Sequence, residues 1–132
     1  MRAIAWMVGA CACVVAMTAG AGALEECMIK GDSSAVSKCL LESDREAQDA
    51  LIKAEGDAGK RARDLDLATG RAGAAAALAK SMRAFADYRK AQCDFVRAMY
   101  AGGSGAEQGT MGCRVDLTRR RARDLANQES RP

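Results

Sequence analysis

Between Phe85 and Cys113 the chain spells a helix, a turn and a returning helix, with a cysteine on each arm. This stretch holds every aromatic residue of the chain except Trp6. Phe85, Tyr88, Gln92, Phe95 and Met99 follow steps of 3, 4, 3 and 4, one stripe on a helix, with Cys93 and Val96 beside it. The run stops at Gly102-Gly103-Ser104-Gly105, as helices commonly stop at glycine. A second helical pattern then carries Cys113, so the hairpin brings Cys93 and Cys113 within reach of a cross-link.

Whether such a cross-link forms depends on the compartment. Arg2 followed by the uncharged apolar run Ala3 to Thr18 and by Ala21-Gly22-Ala23 has the form of a secretory leader with an A-x-A cleavage pattern. The expected boundaries are a signal peptide over 1–23 and one domain over 24–132. The run is short for a membrane span. Cys11 comes too early, with more apolar sequence after it, to serve as a lipoprotein cysteine. The exported chain therefore carries no stable membrane anchor and is expected to be periplasmic or secreted. Six cysteines become four: Cys27, Cys39, Cys93 and Cys113. An even count in a small exported chain reads as a disulfide framework. Three pairings exist, and proximity in sequence favours Cys27–Cys39 with Cys93–Cys113.

The fold class follows from what the chain lacks. After the leader it has three Val, two Ile and three Thr, and its one proline is the last residue, so strand signals are nearly absent. Asp32-Ser33-Ser34 offers helix N-caps. Val36, Leu40, Ala47, Leu51, Ala54, Ala58, Ala62 and Leu65 then keep a helical face, with Gly56 and Gly59 as points where it would bend or fray. Thr69 to Gly73 breaks it, and Ala74 to Ala79 restarts a helix that runs into the aromatic stripe. Gly102 to Gly109 reads as a flexible turn, and Thr110 as the N-cap of a last helix with Met111, Cys113, Leu117 and Leu125 inward. Asp116 and Arg120 are spaced to pair. The expected fold is all-α: a small disulfide-bonded bundle or hairpin of three to four helices around a thin, Ala-rich core.

Charge is segregated. Residues 24–59 hold nine acids and four bases, a net of −5, while 60–132 hold eight acids and fifteen bases, a net of +7. Such asymmetry suits interaction surfaces of opposite sign. Catalytic groups are scarce. The chain has no histidine, so no Ser-His-Asp or Cys-His arrangement and no imidazole ligand. Asp44 with Glu46 and Asp64 with Asp66 stand two apart, on different sides of a helix, and do not converge. Arg119-Arg120-Arg121-Ala122-Arg123 points its charges around the axis and lacks an aromatic platform, which argues against nucleic acid. The reading is of a protein that is not an enzyme and takes no cofactor or metal.

The hairpin resembles the LprI-like lysozyme-inhibitor domain of bacterial envelope proteins. The matching residues are Tyr88, Arg89, Ala91 and Cys93, then Tyr100, Gly102, Gly103 and Ser104, then Cys113, Leu117, Thr118, Arg121, Ala122 and Leu125. Phe85 stands where that family usually has Trp, and Lys90 where it has an acid. The resemblance implies an exported protein-binding module whose partner is a lysozyme. The alternative is an envelope binding or structural protein with a different partner and no lysozyme inhibition. Arg89 reads first as a packing residue whose stem lies beside the aromatic stripe and whose head finds a carbonyl or carboxylate. The rival reading makes it a partner contact. Tyr100 with Gly102-Gly103-Ser104 either reverses the chain or enters a partner's cleft. Many lysozymes are strongly basic, so the acidic front half is the expected contact. Its candidates are Glu42, Glu46 and Asp49, which share one helical face.

Overall fold

The computed structural model describes residues 22–103 and 105–128. They form four helices: α1 Ala23–Met28, α2 Ser33–Thr69, α3 Ala74–Met99 and α4 Ala106–Asn127, with no strand among the described residues. Asp32 caps α2 through its side chain, Oδ1 accepting from the Ala35 N–H at 2.9 Å. The helix runs unbroken through Gly56 and Gly59 and ends at Gly70, which takes the left-handed conformation (φ 65°) that glycine adopts without a steric cost. At this corner the Asp66 carboxylate accepts from the N–H groups of Ala74 and Ala75, at 2.9 and 3.1 Å, and so caps α3 from the preceding helix. Those bonds, first Ala75's and then Ala74's, hold the Asp66 carboxyl below its ordinary pKa.

The helices run α2 down, α3 up, α4 down. Gln108, Arg114 and Arg61 tie α4 to α2 at successive levels, Gln108 to Ser33 and Ser37, Arg114 to Asp44, and Arg61 to the Leu125 carbonyl, so α2 and α4 are parallel. Arg97–Glu107, Cys93–Cys113, Arg89–Thr118 and Arg121–Ser81 step down the antiparallel α3–α4 pair. Two apolar clusters fill the space. One joins Ala23 and Cys27 of α1, Val36, Leu40 and Ala47 of α2, and Val115 of α4. The other joins Leu51, Ala58, Ala122 and Leu125, with Ala54, Leu78 and Phe85 packed against it. The largest fully buried side chains are Leu40, Leu125, Val115, Thr118, Cys27 and Cys93. Two of those six are half-cystines, so in a core this thin the disulfides are part of the apolar interior as well as cross-links.

Three local expectations differ from the structure. The Phe85–Met99 stripe does not face one way into the core. Phe85 and Gln92 are half-buried, while Tyr88, Phe95 and Met99 are 54, 58 and 70% exposed. The inner side of α3 is Leu78, Met82, Phe85, Arg89, Cys93 and Val96, about a quarter-turn round from the aromatic line. Helix α4 begins at Ala106 rather than at Thr110, whose hydroxyl donates to the Ala106 carbonyl. Its deepest residues are Ala106, Gly109, Gly112, Val115, Thr118, Ala122 and Leu125, because α1, α2 and α3 all pack on it; Met111, Cys113 and Leu117 are only half-buried. Asp116 does not pair with Arg120. Its Oδ1 accepts the Ala23 N–H at 2.9 Å and fixes the start of α1.

That bond bears on the expected leader, most of which lies outside the described residues. Ala23, the last residue of the expected signal peptide, is fully buried. A cut after Ala21, at the end of the overlapping Ala19-Gly20-Ala21, keeps Ala23 in the core, and we propose that boundary. N-terminal sequencing of the protein from the envelope or medium of expressing cells is then expected to begin at Gly22; a start at Leu24 would show that α1 docks without Ala23.

The cysteines pair Cys27–Cys39 and Cys93–Cys113, with Cα separations of 5.6 and 5.7 Å, within the usual range for a disulfide. Non-reducing peptide mapping is expected to recover these two pairs. Replacing Cys93 and Cys113 together by alanine is expected to cost about 2–5 kcal/mol in urea unfolding, the usual loss for a native disulfide in a small exported domain. A loss below about 0.5 kcal/mol would show that the bond contributes nothing net to this fold.

Candidate functional site

Two surfaces carry the candidate residues: the middle of α2 and the α3–α4 corner. On α2, Glu42, Glu46 and Asp49 are all exposed and lie on one side of the helix. Among the described residues none of the three takes part in an ion pair. Their neighbours are employed internally: Asp44 accepts from Arg114 at 3.1 Å, and Glu26 on α1 from Arg119 at 2.8 Å. The sequence thus divides its front-half acids into those that bind α4 and those that face outward. Lys38 and Lys53 stand one turn to either side of the outward three, and Lys53 is paired with Asp57. The negative field of this face is therefore local, about two turns long.

The α3–α4 corner is built around Tyr100. Its carbonyl accepts the Gly103 N–H at 2.9 Å, and the Gly103 carbonyl accepts the Ala106 N–H at 3.0 Å, so two tight turns carry the chain into α4. Gly102 (φ 79°) occupies the left-handed region, where glycine is unstrained. The Tyr100 ring lies flat on the first turns of α4. A Cβ at Gly109 would stand 2.4 Å from the ring's Cε2, and one at Gly105 3.2 Å from Cε1. Tyr100 thus keeps 40% of its surface exposed while its ring seats the corner. Gly102 and Gly103 are exposed, and Ser104 lies outside the described residues. Arg97 and Glu107 close the corner from outside with a salt bridge of 2.7 Å.

Arg89 is an internal residue. Its Nη1 donates to Thr118 Oγ1 at 2.8 Å, and the same hydroxyl donates to the Arg114 carbonyl at 2.7 Å. Its guanidinium carbon lies 5.5 Å from the centroid of the Phe85 ring, and that of Arg121 lies 5.7 Å from the same ring. Phe85 is therefore the shared contact of two cations, a favourable use of the ring's negative face. Arg121 also donates to Ser81 Oγ at 2.7 Å. Tyr88, next to Arg89 in sequence, is exposed on the outer side of α3. The arginine run of α4 does spread round its axis: Arg119 turns to α1, Arg121 to α3, and Arg120 and Arg123 to solvent.

Clefts add no reacting group. The larger, about 420 Å³, lies where α4 ends against α2 and α3, over Ala58, Ala62, Leu65, Leu78 and Leu125. The second, about 350 Å³, is basic, but its cations have internal acceptors: Arg89 on Thr118, Lys90 on Asp94, Arg97 on Glu107 and Arg114 on Asp44. Among the described residues no three His, Cys, Asp or Glu come together as a metal site, and no helix is long and apolar enough to cross a membrane.

Sequence reasoning missed Gly109, Gly112 and Thr118 as packing positions. Gly112 abuts Leu24 of α1, where an added Cβ would meet the leucine's own Cβ at 3.0 Å. The spacing of Gly109 and Gly112, one turn apart on a helix with few large residues, was the available signal.

A family model described as "Lysozyme inhibitor LprI" matches residues 25–125. No curated protein and no solved structure matches the chain.

The corner's geometry fixes one outcome. Gly109→Ala is expected to destabilise the fold by about 1–3 kcal/mol, the range for overpacking a close contact. In a Tyr100→Ala background the same substitution is expected to cost far less. Denaturant unfolding of the two single variants and the double variant gives the coupling; additive losses would mean that the ring does not rest on Gly109.

Proposed function

The chain belongs to the LprI lysozyme-inhibitor family, and on that premise we propose that it is an exported protein that binds a lysozyme and inhibits it. The match over 25–125 carries the reading, since it takes in the four disulfide-bonded cysteines and both candidate surfaces. Two disulfides suit an oxidising compartment outside the cytoplasm. Inhibition of this kind needs a surface that occupies or covers the enzyme, and no reacting group of its own.

For the contact we favour the outward acids of α2. The net charge of the chain is +3, and +2 without Arg2, so overall charge gives no attraction to a basic enzyme. The local face of Glu42, Glu46 and Asp49 does. Opposite potentials speed encounter and fix orientation even where they add little affinity. The exposed glycine turn at Gly102-Gly103 is a second element that lies on the same protein but on a different helix pair, seated by Tyr100 rather than free to move with a partner.

Changing Glu42, Glu46 and Asp49 to Gln, Gln and Asn tests this. The variant is expected to keep wild-type helix content, since all three side chains are exposed. Association with a basic lysozyme is expected to slow about tenfold at low salt, with a flatter salt dependence. Unchanged association at low salt would remove the α2 face from the mechanism. Absence of inhibition by the wild-type protein across a panel of lysozymes would leave the other reading, an envelope protein with a different partner.

A further inference from the structure

The outer side of α3 carries a face that neither the bundle nor the acidic surface uses. Tyr88, Phe95 and Met99 stand there at 54, 58 and 70% exposure, with Ala84, Ala91 and Ala98 exposed beside them and Gln92 on the inner rim. Along the line of Tyr88, Phe95 and Met99 itself no charged residue falls between Ala84 and Met99. Asp87 and Asp94 border the alanine edge of the face, three or four residues from Ala84, Ala91 and Ala98, and Asp94 is paired with Lys90; Arg83, Lys90 and Arg97 lie farther round, with Arg97 paired to Glu107. A helical face that is exposed, uncharged and aromatic is the mark of an interaction site rather than of scattered surface apolar residues.

We propose that this face binds a second copy of the chain, α3 against α3, in an antiparallel two-fold dimer. The order of residues carries the choice of occupant. With the axis between Ala91 and Gln92, Tyr88 of one copy falls opposite the partner's Phe95, and Ala84 at the level of the partner's Met99. Each large side chain meets an aromatic or a small residue, and the arrangement repeats itself across the axis, as an isologous interface requires. The aromatic line itself offers a basic enzyme no charge, whereas the α2 face does.

The area agrees with a weak dimer. An aromatic side chain buries about 150–250 Å² when fully covered, so Tyr88 and Phe95 at their observed exposures each offer about 100 Å². With Met99 and the alanines the face comes to about 500 Å² per copy, hence about 1,000 Å² for the pair, the lower edge of specific interfaces. The dimer is therefore reversible, with a dissociation constant of about micromolar or weaker.

Sedimentation velocity on the full exported protein tests it, from about 1 to about 200 µM, a span that brackets such a constant. The expected result is a monomer that becomes a dimer over this range, unchanged between about 0.05 and 0.5 M salt because no charge pairs in the contact. Phe95→Lys, at an exposed position, is expected to weaken dimerisation at least tenfold with helix content intact; Tyr88→Lys is the second variant should the first not fold. Ala91→Cys, beside the axis, is expected to cross-link its own copy under mild oxidation, while Ala72→Cys in the α2–α3 loop is not. A monomer at every concentration overturns the proposal. So does a dimer that salt dissolves, which would join the acidic front to the basic back. So does a dimer that survives both lysine variants, or a monomeric wild type whose inhibition of a lysozyme Phe95→Lys abolishes, which would give the face to the enzyme. The self-association readout does not depend on lysozyme binding, so the two readings fail separately.

Discussion

The close approach of α4 to its neighbours is the contact on which the rest of the structure depends. Helix α4 touches α1, α2 and α3, and it can do so because its inner positions are small. Gly109 lies under the Tyr100 ring and Gly112 against Leu24, while Ala106, Thr118 and Ala122 are buried among the other helices. A chain poor in large apolar residues gains little from a deep core. It gains instead by bringing backbones close, where many weak dispersion contacts add. The cost is that such positions tolerate no added volume.

Cross-links and polar contacts supplement that thin packing, and most of them end on α4. Cys113 bonds α3, Asp116 receives the first N–H of α1, Arg114 and Arg119 pair with Asp44 and Glu26, and Thr118 receives Arg89. The exposed ion pairs among these contribute little singly. The disulfides each contribute about 3 kcal/mol in the chain-entropy model. Cys27–Cys39 locks α1 onto α2 where α1 is only six residues long, too short to hold helical structure alone.

Much of this was legible in the residues. The all-α class, the Asp32 cap, the break at Thr69 to Gly73, the inner face of α2 from Val36 to Ala58 and both disulfide pairs were written in periodicity, turn residues and cysteine spacing. The orientation of α3 was not. A period of 3.6 shows that Phe85, Tyr88, Phe95 and Met99 share a line but not which way the line points. Cys93 decides that, because its bond to Cys113 turns the α3 surface about a quarter-turn away from Phe95. The start of α4 was hidden for a related reason: Gly109 reads as turn in sequence, yet it is helical because a ring needs its bare backbone. Asp116 was assigned to Arg120 on local spacing, but a partner 93 residues away in sequence outcompeted the neighbour. Of the candidate site residues, Glu42, Glu46 and Asp49 lie on one outward face as their spacing implied. Arg89, Phe85 and Tyr100 turn out to hold helices together.

The residues that carry the resemblance are mostly structural. Arg89, Cys93, Tyr100, Cys113, Thr118, Arg121, Ala122 and Leu125 build the α3–α4 scaffold, and the recognition we propose falls to the exposed faces that the scaffold displays. Hydrogen–deuterium exchange of the disulfide-bonded protein, alone and with a basic lysozyme, measures this division directly. The account predicts new protection on α2 around Glu42 to Asp49, with the amides of the scaffold residues already protected in the free protein and unchanged on binding. A complex that protects only the segment from Tyr100 to Gly105, and leaves α2 as it was, would contradict it.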